Sequence, residues 1–443
     1  MTALATALPR APARRRTELG LIVLAVLLVG GLYAIAGLSK AGSLPANIVP
    51  FLIGFFAMLL VAHLAMRYLA PNADPILLPT AGLLNGVGYT FIARLSSSEA
   101  SKQAAWTALG LVAFIVTLAV VRRARDLERY RYLFAFVGIG MLLLPLVPHI
   151  GLNINGARLW VHLGPFSFQP GELAKLALAV FFASVMVERA DLLSRGTRRF
   201  GRFLVLDPRY LAPMLVAWGL SLVIFLAEND LGSSFLFFAL FIGMLWVATG
   251  RMYYLGLGAG MFAVGAVLAL KVIGHAQSRV QSWLDPWAHA QTTGYQILQG
   301  IFSISGGGIW GVGPGQSSAS HIPEASTDLI FAVIAGEIGL IGATAVLIAY
   351  MLLVGTGLRV AIRCENPFEK LLAAGLALVV GVQTFVIVGG VTRLIPLTGI
   401  TLPFVSYGGS SLIANYLLLA LLVRISHDVE SPLARVQPEL VTV

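Results

Sequence analysis

Long apolar stretches recur along the whole chain, and they limit what it can fold into. A helix that crosses a bilayer needs about 20 mostly apolar residues. Twelve stretches meet that length, at roughly 19–38, 47–69, 76–95, 104–122, 131–149, 171–188, 210–226, 232–249, 253–273, 328–355, 370–391 and 405–424. Lipid offers the backbone no hydrogen bonds, so each stretch must close its own as a helix. Of the 443 residues, 58% are hydrophobic and 11% are charged, against about 25% charged in soluble domains. These values exclude a water-soluble enzyme, a disordered scaffold and a disulfide-rich secreted module. Cys364 is the sole cysteine, so neither an internal disulfide nor a cysteine-built zinc site can form. The first stretch is too long for a cleaved signal peptide, and no small-residue cleavage pattern precedes a soluble domain.

The net charge of +10 would suggest nucleic acid in a soluble protein. In a membrane protein, Lys and Arg gather on the cytoplasmic side. With the amino terminus inside and strict alternation, 22 of the 30 basic residues fall in inside segments. The largest groups are Arg122–Arg131 and Arg189–Arg209. A miscounted helix would scramble that pattern. The expectation is therefore an all-α polytopic membrane protein of about twelve helices with both termini cytoplasmic, and nucleic acid is not needed as a partner. The basic inside loop at 189–209 reads as an anchor to anionic lipid.

Two outside segments stand out, at about 150–170 and 274–327. The second is long, rich in Gly, Ser and Gln, and holds Trp283, Trp287, Tyr295, Phe302 and Trp310. Loops this long are usually functional or disordered. The aromatics favour packing at the membrane interface. Gly311, Gly313 and Gly315 alternate ahead of Ser317, but no GK[ST] follows, so this is not a phosphate loop of the Walker type. A tight irregular turn and backbone contact with a ligand both remain open. Asp328 falls at the first turn of an apolar helix, with Thr327 or Ser326 as its cap. It either caps that helix itself or stands as an ionised carboxylate at the outer mouth of the bundle.

Charges within membrane spans cost about 2.5–3.5 kcal/mol each and are functional candidates. Glu172 and Lys175 lie three apart on one helical face, placed to pair with each other or with a ligand. Glu337 follows Asp328 on its helix. Glu228 and Asp230 lie in a tight outer turn. Arg158, Arg279 and Arg393 are rare outside arginines, and guanidinium forks match phosphate oxygens. His162, His275, His289 and His321 fit no metal motif. No Ser/His/Asp set or GxSxG can be assembled. This inventory fits a transporter, a channel, or an enzyme acting on a lipid-linked substrate.

Several segments carry a resemblance. They are NGARLW at 155–160, QPGELAK at 169–175, AENDLGSS at 227–234 and GYQILQ at 294–299. GGGIWGVGPGQS at 306–317, IPEASTDLIFAVIAGEIG at 322–339 and IPLTGITLPFVSYGGSS at 395–411 follow. In this order they resemble the SEDS (shape, elongation, division and sporulation) proteins of bacterial wall synthesis, the RodA/FtsW family. Departures are Gly171 for a usual Ser, Ser326 for a common His and Leu329 for a common Phe. Thr398 leans toward the RodA-like branch.

The resemblance implies a ten-helix core over 76–425, with residues 1–75 an amino-terminal addition of two helices and 426–443 a cytoplasmic tail. It implies a peptidoglycan glycosyltransferase polymerising lipid II at the outer face of the cytoplasmic membrane. A lipid II flippase or a non-catalytic scaffold is the alternative. The implied partner is a class B penicillin-binding protein, a transpeptidase. Asp328 is the implied essential acid, either the catalytic base or the holder of a divalent cation (Mg or Mn). Substrate-binding candidates in the matching motifs are Arg158, Trp160, Glu172, Lys175, Asp230, Gln296, Gln299, Ser317, Glu324, Thr327, Glu337, Ser406 and Ser410. Arg279 joins them from the preceding segment. Arg158, Arg279 and Lys175 are the candidates for pyrophosphate.

Overall fold

The computed structural model describes residues 11–154, 157–163, 166–190, 198–200, 203–205, 219, 231–272, 274–317 and 319–431. The helices are α1 (Ala11–Ala41), α2 (Ile48–Leu69), α3 (Leu77–Leu95), α4 (Ser97–Val120), α5 (Arg131–Leu143) and α6 (Pro170–Glu188). They continue as α7 (Leu231–Thr249), α8 (Tyr253–Val272), α9 (Gly274–Leu284), α10 (Tyr295–Gly307), α11 (Ile330–Arg363), α12 (Pro367–Val391) and α13 (Gly409–Glu430). Eleven of the twelve expected stretches coincide with these helices. The stretch at 210–226 lies, but for residue 219, outside the described residues, as do Asp230, Glu228 and most of the 189–209 loop. Nine helices among the described residues are long and apolar enough to cross a membrane. α3 does not qualify by composition, because Pro79, Thr80, Asn85 and Thr90 lie along it, yet most of it is buried. It is the inner post of the bundle, enclosed by α1, α4 and α11. In α8 the described apolar piece is Tyr253–Val267.

The segment at 150–170 corrects the all-α expectation locally. It forms an antiparallel sheet of β1 (Gly151–Ile154), β2 (Ala157–Leu163) and β3 (Phe166–Phe168), in the order β1-β2-β3. Trp160 lies opposite Leu152, and His162 opposite Ser167. Val, Leu and aromatic residues alternate with polar ones here, and that period of two suits a half-buried sheet. A small hairpin, β4 (Arg198–Phe200) and β5 (Phe203–Val205), lies within the basic loop. The long segment at 274–327 is not extended coil, since it contains α9, α10 and a helical turn at Ala319–His321.

Local sequence signals set several boundaries. Ser96 caps α4 by accepting from the Glu99 amide. Asn366 caps α12 by accepting from the Phe368 and Glu369 amides, with Pro367 at the first helical position. The two ends of the bundle differ chemically. At one end, Arg424 donates to the carbonyls of Leu69 and Leu118, Ala124 N donates to Asp428, and Arg125 N donates to Glu369. Ion pairs Arg131–Glu188 (2.5 Å) and Arg363–Glu430 (2.9 Å) lie at this basic end. Asp328 and the loops around it occupy the opposite end.

Candidate functional site

The helix that follows Asp328 is broken. Gly339 has φ 67° and ψ −172°, inside α11. Only glycine adopts that geometry at low cost. The break frees backbone groups on both sides, and they need partners inside an apolar bundle. The glycine-rich loop supplies them. Val312 N and Gly313 N donate to the carbonyls of Gly336 and Glu337, while Leu340 N and Ile341 N donate to those of Gly308 and Ile309. Gly311, at φ 84°, packs so close to the Glu337 backbone that a Cβ has no room. The loop is thus a tight turn that docks into a broken helix.

Glu337 locks this joint. It is fully buried, and its carboxylate accepts from Gly315 N (2.6 Å) and Ser317 Oγ (2.7 Å). Arg94 of α3 lies against it (2.8 Å) and also donates to Ser317 O (2.7 Å). Glu337 and Ser317 were expected to bind substrate. Both are bonded to each other here, at a joint two helical turns along from the start of α11.

The segment before α11 carries Asp328. Glu324, at φ 51°, turns the chain back, and its carbonyl accepts from Thr327 N and Leu329 N. Thr327 Oγ1 donates to Glu324 Oε2 (2.9 Å). The expected cap by Thr327 or Ser326 is therefore not made. The N-cap position is Leu329, with no side-chain cap, and Asp328 stands just ahead of it. The cause is the competing turn at Glu324, which takes the Thr327 hydroxyl. The SYGGSS segment supports the turn from behind. Buried Ser406 donates through Oγ to Thr327 O (2.6 Å) and accepts from Leu402 N (2.8 Å), and Tyr407 N donates to Ser326 O (2.8 Å). Asp328 itself is half-buried.

Across from it is Arg279 of α9. Its Nη1 donates to Thr398 O (2.8 Å). The point where a Cβ of Gly399 would stand lies 3.3 Å from Arg279 Nη2 and 3.5 Å from Asp328 Oδ2. Guanidinium and carboxylate therefore converge on the same side of a residue with no side chain. Gly399 has φ 75° and is exposed. Arg393 has a different task. It donates to the carbonyls of Trp283 (2.8 Å) and Leu284 (2.6 Å) at the end of α9, and Trp283 Nε1 donates back to Arg393 O (3.0 Å). That closes the carboxyl end of the helix bearing Arg279.

A second polar chain runs beneath. Lys175 and Glu172 pair at 2.9 Å, both buried. Lys175 Nζ also donates to Gln383 Oε1 (3.3 Å), and Gln383 Nε2 donates to Thr401 O (2.8 Å). Thr401 Oγ1 donates to Ser411 Oγ (2.7 Å), and Ser410 Oγ accepts from Gln169 N (2.8 Å). These bonds tie α6, α12 and α13 to the loop that carries Gly399. Arg158, exposed, and Trp160, half-buried, share one face of β2. Gln296 and Gln299 are half-buried on α10, which packs on α11. Sequence reasoning missed Gly399, Gln383 and Arg94. Gly399 sat in the quoted PLTG motif, and Arg94 was one of few basic residues outside the inside segments. Those were the available signals.

Among the described residues, no three His, Cys, Asp or Glu side chains gather to hold an ion. The neighbour of Asp328 over Gly399 is a cation. Magnesium is commonly bound by one or two carboxylates plus substrate phosphates. A single carboxylate here holds such an ion only with substrate oxygens completing the shell.

Comparisons with known proteins give one answer. The family FTSW_RODA_SPOVE, described as cell cycle protein, matches residues 89–431. The chain is 40% identical over 436 residues to the peptidoglycan glycosyltransferase RodA of Mycobacterium tuberculosis, covering 96% of this chain and 93% of that protein. It is 34% identical over 291 residues to the stage V sporulation protein E of Bacillus subtilis, covering 65% of this chain and 76% of that protein. The rod shape determining protein RodA of Thermus thermophilus superposes with a TM-score of 0.58 at 27% identity, over 82% of this chain and 98% of that one. A chain from the structure described as "Structural coordination of polymerization and crosslinking by a peptidoglycan synthase complex" superposes with a TM-score of 0.67 at 26% identity, over 81% and 98%.

Proposed function

Because the chain belongs to the FTSW_RODA_SPOVE family, we propose that it polymerises lipid II into glycan strands, with Asp328 as base and Arg279 on the pyrophosphate. It is a multi-pass membrane protein and a peptidoglycan glycosyltransferase of the RodA-like branch. The observation that carries the site assignment is that Asp328 and Arg279 both approach Gly399.

The chemistry follows from the two groups. A sugar hydroxyl of the acceptor attacks the anomeric carbon of the donor. The bond to the lipid pyrophosphate breaks, and the pyrophosphate leaves with the electron pair. Asp328 takes the hydroxyl proton, an effect typically worth about 10²–10⁴ in rate. The leaving group needs no proton when a guanidinium holds its charge. One carboxylate is then enough, unlike the paired carboxylates of most glycoside hydrolases. Lys175, Arg158 and Trp160 are further substrate contacts in this reading, along with Gln296 and Gln299.

In the same reading the basic end is cytoplasmic and the Asp328 end faces outside. Residues 76–425 are the catalytic core and 1–75 the addition. The solved polymerisation and crosslinking complex supports a transpeptidase partner, a class B penicillin-binding protein. The test is polymerisation of purified lipid II by the full chain with that partner. Asp328→Ala is expected to keep its thermal unfolding profile and make no polymer, a drop of at least about 10². Normal strands from that variant would remove Asp328 as base. Running the wild type in EDTA, then with Mg or Mn restored, decides whether a divalent cation joins Asp328 on the pyrophosphate.

A further inference from the structure

α1 lies ahead of residues 89–431, the part of the chain that the family match spans. It is nevertheless fastened to the bundle at three levels. Near its start, Arg15 pairs with Glu18 and donates to Ala73 O, and Glu18 also bonds His63 of α2 (2.9 Å). These three side chains are 5%, 0% and 3% exposed. Midway, Tyr33 donates to Asn47 Oδ1 (2.9 Å), and its ring lies 4.7 Å from Phe51 and 6.4 Å from Tyr89. At its far end, Ser39 meets the glycine-rich loop. Gln316 Nε2 donates to Ser39 Oγ (2.7 Å) and to Ser39 O (2.9 Å). Beside it, a Cβ on Gly315 would stand 3.0 Å from Ala36 O.

The loop that Ser39 holds is the one that grips the broken helix. Residues 330–338 form a short half-helix whose hydrogen-bond ladder stops at Gly339. The rest of α11 therefore does not fix its direction. Its direction comes from α10, where Ser303 Oγ donates to Ala332 O (3.0 Å), and from the loop, through Glu337, Gly313 and Val312. Asp328 sits just ahead of this half-helix, so a small tilt there moves the carboxylate relative to Arg279.

We infer that α1 is a strut that sets the direction of the half-helix behind Asp328, and that Gln316 is the positioning residue through which it acts. The inference rests on Asp328 as the base. Gln316 is exposed, and surface substitutions normally shift stability little. A functional loss at this position then reads position, not folding.

The test uses the full chain with its partner and lipid II. Gln316→Ala is expected to lower kcat about 5- to 20-fold, with KM within about twofold and thermal unfolding unchanged. Hydrogen exchange in the peptide spanning 326–338 is expected to rise. Gln316→Lys alone should be impaired to a similar degree. Pairing it with Ser39→Asp, which restores the link as an ion pair, should return at least half of the wild-type kcat. Wild-type exchange at 326–338 in Gln316→Ala overturns the inference whatever Asp328 does. So does a kcat loss that Ser39→Asp fails to relieve in the Lys variant, or one that tracks a lowered unfolding temperature. Full activity of Asp328→Ala overturns the base assignment instead, and the exchange measurement keeps the two failures separate.

Discussion

Gly399 shows how one missing side chain organises charged groups. Its φ of 75° favours glycine, and the place of its missing Cβ is met by both Arg279 and Asp328. An alanine there costs about 1–2 kcal/mol in backbone strain. Its Cβ would also stand 3.3 Å from the guanidinium and 3.5 Å from the carboxylate. Gly399→Ala is therefore expected to fold, lose only that modest stability, and lose roughly 10- to 100-fold in polymerisation, since small misplacements are costly in catalysis. Thermal unfolding and polymer yield, measured together, check this. A variant with wild-type yield would show that the space over Gly399 is not used. The residue scale also separates arginines that look alike in sequence. Arg279, Arg393 and Arg94 all lie near the Asp328 end. Arg393 closes α9 and Arg94 holds Glu337, while Arg279 faces Asp328. Spacing along the chain carries no information on which carbonyl each will meet.

Among elements, the break in α11 has the greatest consequence. The stretch from 328 to 355 reads as one apolar span, and in length it is one. The GEIGLIG sequence holds the signal for a break, but glycine is tolerated inside membrane helices and does not by itself announce one. The break becomes stable only because the 308–313 backbone fills it and Glu337 finds three partners. Gly339→Ala is expected to destabilise the protein by at least about 1–3 kcal/mol, because its backbone geometry is almost confined to glycine. The new Cβ would also collide with Ile309 O and Gly311 N. A lowered unfolding temperature in detergent, with polymerisation lost in parallel, is the expected result; an unchanged profile would mean that the joint bears no load. The helix start was misread for a related reason. Thr327 is a good cap by type, but the Glu324 turn uses its hydroxyl first.

At the scale of the whole molecule, charge separates the two ends. The inside-assigned segments near 69–74, 118–131, 363–369 and 424–430 meet at one end, and the Asp328 loops lie at the other. Labelling can test the orientation, because the native thiol is silent. Cys364 is buried, and burial together with the Glu369 charge pushes its pKa up to about 12. A raised thiol pKa leaves it protonated and unreactive at neutral pH. Ser97→Cys, exposed at the Asp328 end, is expected to react with an impermeant maleimide on intact cells. Arg123→Cys, exposed at the basic end, is expected to react only after lysis. The reverse pattern would place Asp328 inside and remove the proposed access to lipid II from the outer leaflet.

The sequence by itself determined the membrane class, the positions of eleven described helices and the family. Hydrophobic length and motif order are local properties, and lipid leaves the backbone few alternatives. It also determined the Glu172–Lys175 pair, because residues three apart on a helix are neighbours by geometry. Tertiary structure alone decided the rest. Glu337 came to lock a joint through Gly315 and Ser317, and Arg279 and Asp328 came to meet at Gly399. Ser39 came to hold Gln316 across 277 residues of chain. Each of those contacts joins segments far apart in sequence, and their partners are chosen by which carbonyls and amides the packed helices leave unsatisfied.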